Sequence, residues 1–205
     1  MYIPKLYRNH ELPEIEKFLQ QHSFATLIST HEGKHWATHL PLELEVNAQG
    51  EKVLWGHLSR ANPQWKTFPE NREVMAVFMG PHAYISSSWY DHVNVPTWNY
   101  IAVHVYGKIK LLEGEQLQEA LRRLVNKYEV HSKNPVSMDT MPKEFVKKEM
   151  KGVVGFEISI DRMEGAWKLS QNRNDANFQQ IITELENLNS INASQVADEM
   201  KKMRP

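Results

Sequence analysis

No cysteine occurs among the 205 residues, and this absence excludes disulfide bonds, thiolate metal sites and a cysteine nucleophile. The chain also lacks any run that approaches the 18 apolar residues expected of a membrane-spanning helix. Its first residues contain no apolar segment of the length found in secretion signals. These absences predict a cytoplasmic protein with no membrane partner.

An excess of charge of one sign is missing as well. The 24 basic and 25 acidic side chains leave a formal net charge of −1, whereas a dedicated DNA-binding domain usually carries a basic face. Hydrophobic residues make up 41% of the chain, which is enough to fill a core. The length and composition favour one large domain, or a domain with an appendage.

Short apolar segments separated by turn residues predict strands through the first half of the chain. These segments are 24–29, 40–46, 52–58, 74–79, a short one at 84–86, and 98–112, and a further strand is predicted at 153–160. In the second segment, the alternation predicts that Leu42, Leu44 and Val46 face inward. Glu43 and Glu45 are then expected to face outward. The fourth segment is apolar throughout and is predicted to be buried on both faces.

Helical periodicity is clearest at 115–129, where apolar residues recur at spacings of three and four. A shorter helix is predicted at 142–150, and Asp175 and Asn192 are candidate caps for two helices near the C-terminus. This pattern indicates the α+β class, with a small antiparallel barrel of six to eight strands and peripheral helices. We assign residues 1–174 to the barrel domain and 175–205 to a C-terminal helical extension packed on it.

Residues 84–107 are the most distinctive stretch of the chain. A segment rich in serine, tryptophan and tyrosine ends at Pro96, and a strand with period-two alternation follows it. Binding residues often lie on loops that a scaffold holds in place, and these rings and hydroxyl groups suit a flat ligand with polar edges. The alternative is a surface loop anchored by buried Trp89 and Trp98.

Anion-binding chemistry is predicted where the strand at 52–58 ends. Ser59 supplies a hydroxyl group, and Arg60 supplies a planar fork of donors that matches phosphate oxygens. Asn62 and Pro63 are typical of a helix N-terminus, whose N–H groups and dipole also favour an anion. The alternative is that Arg60 is an ordinary surface cation and Ser59 a turn residue.

Residues 168–173 form a second polar segment, directly after the last predicted strand. Ser170, Gln171 and Asn172 offer donors and acceptors that suit ring carbonyl and imide groups. Lys168 and Arg173 can meet anions. The alternative is a polar connector to the C-terminal helices.

Metal binding and nucleophilic catalysis have little support in the sequence. His31, His35 and His39 recur every four residues, but a hairpin turn falls among them and no aspartate nearby completes a site. We therefore expect hydrogen-bonded surface histidines and no metal. Asp91 and His92 are adjacent, but nothing specifies a Ser-His-Asp triad, and no catalytic residue is assigned.

Six segments occur together in an order that is specific to one family. They are Phe-Ala-Thr-Leu from residue 24, Ala-Thr-His-Leu-Pro from 37, Gly-His-Leu-Ser-Arg-Ala-Asn-Pro from 56, Ser-Trp-Tyr from 88, Val-Pro-Thr-Trp-Asn-Tyr from 95 and Lys-Leu-Ser-Gln-Asn-Arg from 168. In these segments the chain resembles the PaiB family of FMN-binding negative transcriptional regulators. That family lies within the flavin-binding split-barrel superfamily of pyridoxamine-phosphate oxidase.

The resemblance implies a homodimer of split β-barrels, with FMN in clefts at the subunit interface. It implies that the phosphate end of the FMN site is formed by His57, Ser59 and Arg60. By the same resemblance, the wall residues near the ring are Trp98, Asn99 and Tyr100. The resemblance further implies a segment that closes the site, from the same subunit or its partner. Its residues are Lys168, Ser170, Asn172 and Arg173.

The resemblance also implies repression of genes for sporulation and degradative enzymes, through DNA or a regulatory protein partner. The sequence has no evident helix-turn-helix with a basic recognition helix. Its best basic patch, the lysine patch, consists of Lys143, Lys147, Lys148 and Lys151. Two other functions stay open: a flavin-dependent reductase or oxidase of a small molecule, with NAD(P)H as a possible donor, and a flavin protein that acts only through protein partners.

Overall fold

A computed structural model of the chain describes residues 1–68 and 73–204, and within them it contains eight strands and five α-helices. The strands are β1 (Arg8–Asn9), β2 (Phe24–His31), β3 (Lys34–Pro41), β4 (Glu43–Val46), β5 (Lys52–Ser59), β6 (Glu73–Ile85), β7 (Thr97–Leu112) and β8 (Val153–Lys168). The helices are α1 (Leu12–Gln21), α2 (Gly114–Glu129), α3 (Lys143–Met150), α4 (Asp175–Asn187) and α5 (Ile191–Met203). The predicted α+β class and number of strands are confirmed.

The strands form one sheet in the order β3-β2-β6-β7-β8-β5-β4, and β1 pairs with β8 outside this path. The β2–β3 hairpin runs from the pair Phe24↔Pro41 to the pair His31↔Lys34. Strand β5 is antiparallel to β8, from Val53↔Ser159 to Ser59↔Val153. The β2–β3 pairing follows from its short connection, because antiparallel neighbours can be joined by a tight turn, whereas β5 and β8 pair although they are far apart in the sequence.

The chain packs into two units, and each unit is assembled from separated segments. The terminal unit consists of Met1–Phe18, Phe78–His104 and Glu164–Pro205. The central unit consists of Leu19–Val77 and Val105–Met163. The predicted domain boundary between 174 and 175 falls within the terminal unit and stays a prediction.

Each unit has its own apolar core. In the central unit, Leu27, Leu54 and Ile158 are fully buried, and the rings of Phe68 and Phe156 meet edge to face with centroids 5.5 Å apart. The core of the terminal unit is formed by fully buried residues of α1, β6, β7 and the C-terminal helices, namely Ile15, Ile85, Val103, Ile181 and Val196. In β7, Ile101, Val103 and Val105 are fully buried, as the period-two alternation of this segment predicts.

Strand β4 corrects one prediction about which side chains face inward. Glu43 is buried and Val46 is exposed, the reverse of the prediction. The reason is that β3 ends at Pro41, and Leu42, whose N–H donates to the carbonyl of Ser23 at 2.8 Å, separates it from β4. This interruption changes the phase of the alternation, because adjacent strand residues point to opposite faces.

Glu43 is stabilised in its buried position by two partners from α2. The Tyr128 hydroxyl donates to its Oε1 at 2.7 Å, and the Lys127 ammonium forms an ion pair with its Oε2. Burial raises the pKa of Tyr128, and its hydrogen bond to the Glu43 carboxylate acts in the same direction. The buried carboxylate is thus paired and hydrogen-bonded, as buried charges must be.

Three boundary predictions also need correction. The strands predicted at 74–79 and 84–86 are one continuous strand, β6, from Glu73 to Ile85, and Met79 is exposed, so this strand is not buried on both faces. Strand β8 extends beyond the predicted residue 160 to Lys168. The helix caps are Asn174 and Ser190, each accepting a backbone N–H three residues later, rather than Asp175 and Asn192.

Among the described residues, no helix combines the length and the apolar character needed to cross a bilayer.

Candidate functional site

The phosphate set, His57, Ser59 and Arg60, lies in the central unit at the end of β5 and just beyond it. Arg60 makes three bonds to the turn that links α3 to β8. Its Nε donates to the carbonyl of Lys151 at 2.8 Å, and its Nη2 donates to the carbonyl of Val153 at 3.0 Å. Its backbone N–H donates to the carbonyl of Gly152 at 2.8 Å. Arg60 is exposed to solvent, and its three hydrogen bonds also stabilise this turn.

The helix predicted after the phosphate set is a short 3-10 helix, Pro63–Thr67. Its predicted cap is confirmed, since Asn62 Oδ1 accepts the N–H of Gln64 at 2.9 Å. Gln64 itself is fully buried, and its Nε2 donates to the Leu27 carbonyl at 3.2 Å. The predicted short helix is present, but five residues of 3-10 helix give only a small dipole, so most of any anion binding here must come from side chains and turn N–H groups.

His57 is the half-buried member of the phosphate set. Burial lowers its pKa below the usual value for histidine. A small cavity of about 20 Å³, bounded in part by Trp55, His57 and Leu117, adjoins it and has room for about one water molecule. The neutral imidazole can offer one donor and one acceptor to a ligand or to such a water.

The lowered pKa of His57 predicts a loss of stability in mild acid. Because the folded state disfavours the protonated ring, the unfolded chain takes up this proton more readily. The free energy of unfolding should therefore fall as the pH drops below about 6.5, and it should go on falling until the folded-state pKa is reached. A His57→Asn variant should lose less stability between pH 7 and pH 5.5 in thermal melts. An equal loss in both proteins would assign the pH dependence to other groups.

The ring set comprises the remaining predicted flavin contacts, and all of them lie in the terminal unit. Its members are Trp98, Asn99, Tyr100, Lys168, Ser170, Asn172 and Arg173. The structure brings the start of β7 and the end of β8 together through two hydrogen bonds. Lys168 Nζ donates to Thr97 Oγ1 at 2.5 Å, and Ser170 Oγ donates to Asn99 Oδ1 at 3.0 Å.

Exposure differs sharply among the members of the ring set. Trp98 is 53% exposed and lies with its ring 5.9 Å from that of Tyr84 and 6.3 Å from that of His82. Asn99, the next residue in β7, is fully buried, and its Nδ2 donates to the sulfur of Met200 at 3.4 Å. Trp98 can therefore offer a flat face to a ligand, whereas Asn99 positions Ser170 rather than forming a wall.

The segment after β8 is a tight turn with an unusual backbone conformation. Ser170 has a φ of 61°, in the left-handed region that residues other than glycine seldom adopt. The turn closes because Arg173 N–H donates to the Ser170 carbonyl at 3.0 Å, while Leu169 N–H donates to Gln171 Oε1 at 2.8 Å. Strain of this kind persists only where surrounding contacts enforce it, and it is common at binding sites.

Arg204 holds this turn from the C-terminal end of α5. Its Nη2 donates to the carbonyls of Gln171 and Arg173, each at 2.9 Å, and its Nη1 pairs with Asp175 at 2.7 Å. The guanidinium also lies over the ring of Phe178, 4.3 Å from its centroid. Sequence reasoning missed this residue, because no local pattern shows that the end of the chain returns to residues 171–173.

Lys168 and Arg173 form a pair of neighbouring cations. Burial lowers the pKa of Lys168, and the positive charge of Arg173 lowers it further. The guanidinium of Arg173 lies over the ring of Tyr90, 4.7 Å from its centroid. Within the described part of the chain, neither the buried Nε of Arg173 nor the buried hydroxyl of Tyr90 has a hydrogen-bond partner. Buried donors without acceptors are rare, so these atoms indicate a place for a ligand or water.

These features fit FMN, the cofactor implied by the resemblance. A flavin offers a flat ring for the exposed face of Trp98, and ring carbonyl and phosphate oxygens for donors such as Arg173 Nε and the ammonium of Lys168. Tyr100 is half-buried and Asn172 is exposed, so both side chains can reach solvent or a ligand.

The loop before β7 is not anchored by buried Trp89 and Trp98, which was the alternative to a binding loop. Trp89 is half-buried and Trp98 exposed, whereas Tyr90 is the buried aromatic. Asp91 fixes the loop to α4, because its Oδ1 accepts from Asn177 Nδ2 at 2.8 Å and its N–H donates to Asn177 Oδ1 at 3.2 Å. Asp91 Oδ1 also lies 2.6 Å from Nδ1 of His92. These bonds hold the pKa of Asp91 below its usual value.

Metal ligands and a basic surface were the other candidate features. Within residues 1–68 and 73–204, no group of three or more His, Asp or Glu side chains is arranged to hold a metal ion. The four lysines of the lysine patch are all exposed on α3 and the residue after it. Lys147 Nζ forms an ion pair with Glu144 Oε1 at 2.9 Å, which partly neutralises its charge.

Comparison with known proteins gives one extensive match. The chain is 45% identical over 201 residues to "Protease synthase and sporulation protein PAI 2" of Bacillus subtilis, covering 98% of this chain and 97% of that protein. Two solved structures share its fold at low sequence identity. The flavocytochrome Anf3 of Azotobacter vinelandii has a TM-score of 0.62 at 16% identity, over 87% of this chain and 78% of its own.

The second structure is the FAD and heme binding protein of Mycobacterium smegmatis, with a TM-score of 0.61 at 12% identity, over 84% of this chain and 79% of its own. Residues 1–162 match the family model described as "Putative FMN-binding domain". The matched region includes the phosphate set and the start of β7, and it ends before Lys168. The chain therefore belongs to the PaiB family of FMN-binding domain proteins.

Proposed function

We propose that this chain binds FMN and acts as a negative transcriptional regulator of genes for sporulation and degradative enzymes. The observation that carries the proposal is its 45% identity, along almost the whole length of both chains, to the Bacillus subtilis protease synthase and sporulation protein. Because that identity extends through the turn after β8, it covers the segments of both the phosphate set and the ring set.

Each set has a distinct role in this proposal. The phosphate set would bind the FMN phosphate through Arg60 and the hydroxyl of Ser59. The ring set would hold the isoalloxazine against Trp98, with Lys168 and Arg173 at its polar edge. When bound, FMN supplies the redox chemistry, while the protein supplies binding, orientation and electrostatics.

Complementation tests the proposal directly. A Bacillus subtilis strain that lacks its own sporulation protein of this family would receive either this chain or a Lys168→Met, Arg173→Gln variant. We expect the unaltered chain to restore the extracellular protease level and sporulation frequency of the parent strain, and the variant to restore neither. Failure of the unaltered, soluble, FMN-loaded chain to restore either phenotype would contradict the regulatory role.

A spectrum separates regulation from catalysis. We expect the purified protein to carry the absorbance of bound FMN and to keep it when NADPH is added in air-free buffer. Rapid bleaching of the flavin by NADPH would instead indicate a flavin-dependent reductase or oxidase.

The homodimer is a further part of the proposal. If FMN binds only the dimer, mass action requires that added FMN shift the monomer–dimer equilibrium toward dimer. Sedimentation of dilute protein should therefore show a rising dimer fraction as FMN is added. A stable monomer that holds one FMN would contradict this arrangement.

DNA contact, if direct, is expected to be weak and steeply dependent on salt. The net charge is near zero and the lysine patch is small, so binding is weak, and because it would be purely electrostatic, each phosphate contact that is made lowers the affinity further as salt rises. Replacing Lys147 and Lys148 with glutamate should abolish binding to random duplex in fluorescence anisotropy. An unchanged affinity would remove this patch from any DNA contact. Tight sequence-specific binding at physiological salt would contradict the expectation itself. The cytoplasmic location also stays a prediction.

A further inference from the structure

Two cations of the ring set lack a counter-ion in the described part of the chain. Lys168 uses one of the three donors of its ammonium group, in the bond to Thr97 Oγ1. Among the described residues, Arg173 is the only charged group that shifts the pKa of Lys168, and no carboxylate compensates for this effect. The guanidinium of Arg173 rests on Tyr90 by a ring contact, with its Nε unbonded.

Bringing two like charges together without a carboxylate costs free energy, which a bound anion can recover. The turn that carries both cations is also held in a strained conformation, with Ser170 in the left-handed region and Arg204 bound to the carbonyls of Gln171 and Arg173. The cations are thus fixed by the fold, which is the arrangement that preorganised electrostatic sites require.

We infer that Lys168 and Arg173 make the protein bind reduced FMN more tightly than oxidised FMN, so that the redox state of the flavin is the signal that this protein senses. This inference rests on the proposed FMN site. Arg60 and the phosphate set account for the phosphate, whose charge is the same in both redox states. Within the terminal unit, Lys168 bonds to Thr97, the residue before Trp98, so in the proposed site it lies beside the isoalloxazine, which is neutral when oxidised.

The charge balance explains the preference. Reduction adds two electrons and one proton to the ring, and the product at neutral pH carries one negative charge. A cation pair interacts weakly with the neutral ring and strongly with the anion, so it has differential affinity for the two states, which any ligand-driven switch requires. A hydride donor of the NAD(P)H class, or a chemical reductant, can supply the electrons.

The experiment measures both affinities and the potential of the bound flavin. Dissociation constants would be determined for oxidised FMN and for dithionite-reduced FMN under argon, and the midpoint potential would be determined against a redox dye. We expect reduced FMN to bind at least about tenfold more tightly, which corresponds to a potential about 30 mV more positive than that of free FMN.

Variants at the two positions should remove this preference. In Lys168→Met and Arg173→Gln, the ratio of the two affinities should fall by about tenfold, as expected for loss of one charge-assisted contact. Lys168→Arg keeps the charge and should keep the ratio. Lys202→Met, which removes an exposed lysine paired with Glu199 on α5, is the matched control and should change neither value.

Three results would overturn the inference, and they can be told apart. Equal affinity of the unaltered protein for both redox states would show that the cations do not sense ring charge. Variants that weaken FMN but not riboflavin, with an unchanged potential, would place the phosphate at Lys168 and Arg173. Failure of the unaltered protein to bind FMN in either state would contradict the proposed function itself.

Discussion

Replacing Gly107 with alanine should destabilise the protein by about 3–5 kcal/mol, or prevent it from folding. A Cβ at this position would lie 2.0 Å from the carbonyl oxygen of Ser159 and 2.8 Å from Cγ2 of Ile158. The first of these contacts is with backbone in β8, which cannot move aside without breaking the sheet. Urea unfolding monitored by tryptophan fluorescence would measure the loss.

Two other glycines of the central unit provide controls for this substitution. In Gly155→Ala, the new Cβ would meet Cδ1 of Leu117 at 2.4 Å, but a leucine methyl group can rotate away. In Gly152→Ala, the nearest atom is the Glu149 carbonyl oxygen at 3.2 Å. We expect losses in the order Gly107, Gly155, Gly152. The close approach of β7 and β8 would be contradicted if Gly107→Ala lowered the free energy of unfolding by less than about 1 kcal/mol, which is the effect of an ordinary substitution.

Replacing Arg60 with alanine should weaken FMN binding by about 1.5–3 kcal/mol, as expected for loss of a charge-assisted hydrogen bond to phosphate. Riboflavin, which lacks the phosphate, should bind both proteins alike. The structure adds a second consequence, because the carbonyls of Lys151 and Val153 lose their donor. The melting temperature should therefore fall as well.

The comparison of the two ligands separates these two effects of Arg60. Isothermal titration of FMN and riboflavin would give the specific loss, and thermal melts of the flavin-free proteins would give the structural loss. Lys66→Ala is the matched control, since Lys66 is an exposed cation at the same distance of 5.9 Å from the ring of Trp65. Equal losses for FMN and riboflavin would show that Arg60 acts only through the turn between α3 and β8.

Local sequence patterns predicted the elements well where one face of an element is clearly apolar. The helix at 115–129 was predicted from its periodicity and begins one residue earlier in the structure, at Gly114. The β2–β3 hairpin was predicted from its turn. The prediction of which β4 side chains face inward was wrong, because the alternation in β4 depends on the hydrogen bond from Leu42 to Ser23, nineteen positions away in the sequence. Such a contact leaves no local pattern.

The candidate site shows the same division between local and distant information. The chemical character of the polar segment at 168–173 was evident from its residue types, and Asn62 was correctly predicted as a cap. The bonds from Lys168 to Thr97 and from Ser170 to Asn99 could not be predicted, because they join segments 71 residues apart. The scaffold role of Arg60 was missed for the same reason.

The composition of the two units has a consequence for how this protein can change during evolution. The terminal unit takes three segments of the chain and the central unit takes two, and strands β6, β7 and β8 each contribute residues to both. No single stretch of the gene therefore encodes either unit. One contiguous piece of DNA that encodes the whole ring set, from Trp98 to Arg173, also encodes residues Val105–Met163 of the central unit. Exchange of that piece would therefore alter both units, whereas point substitutions and changes in loops can alter the ring set alone.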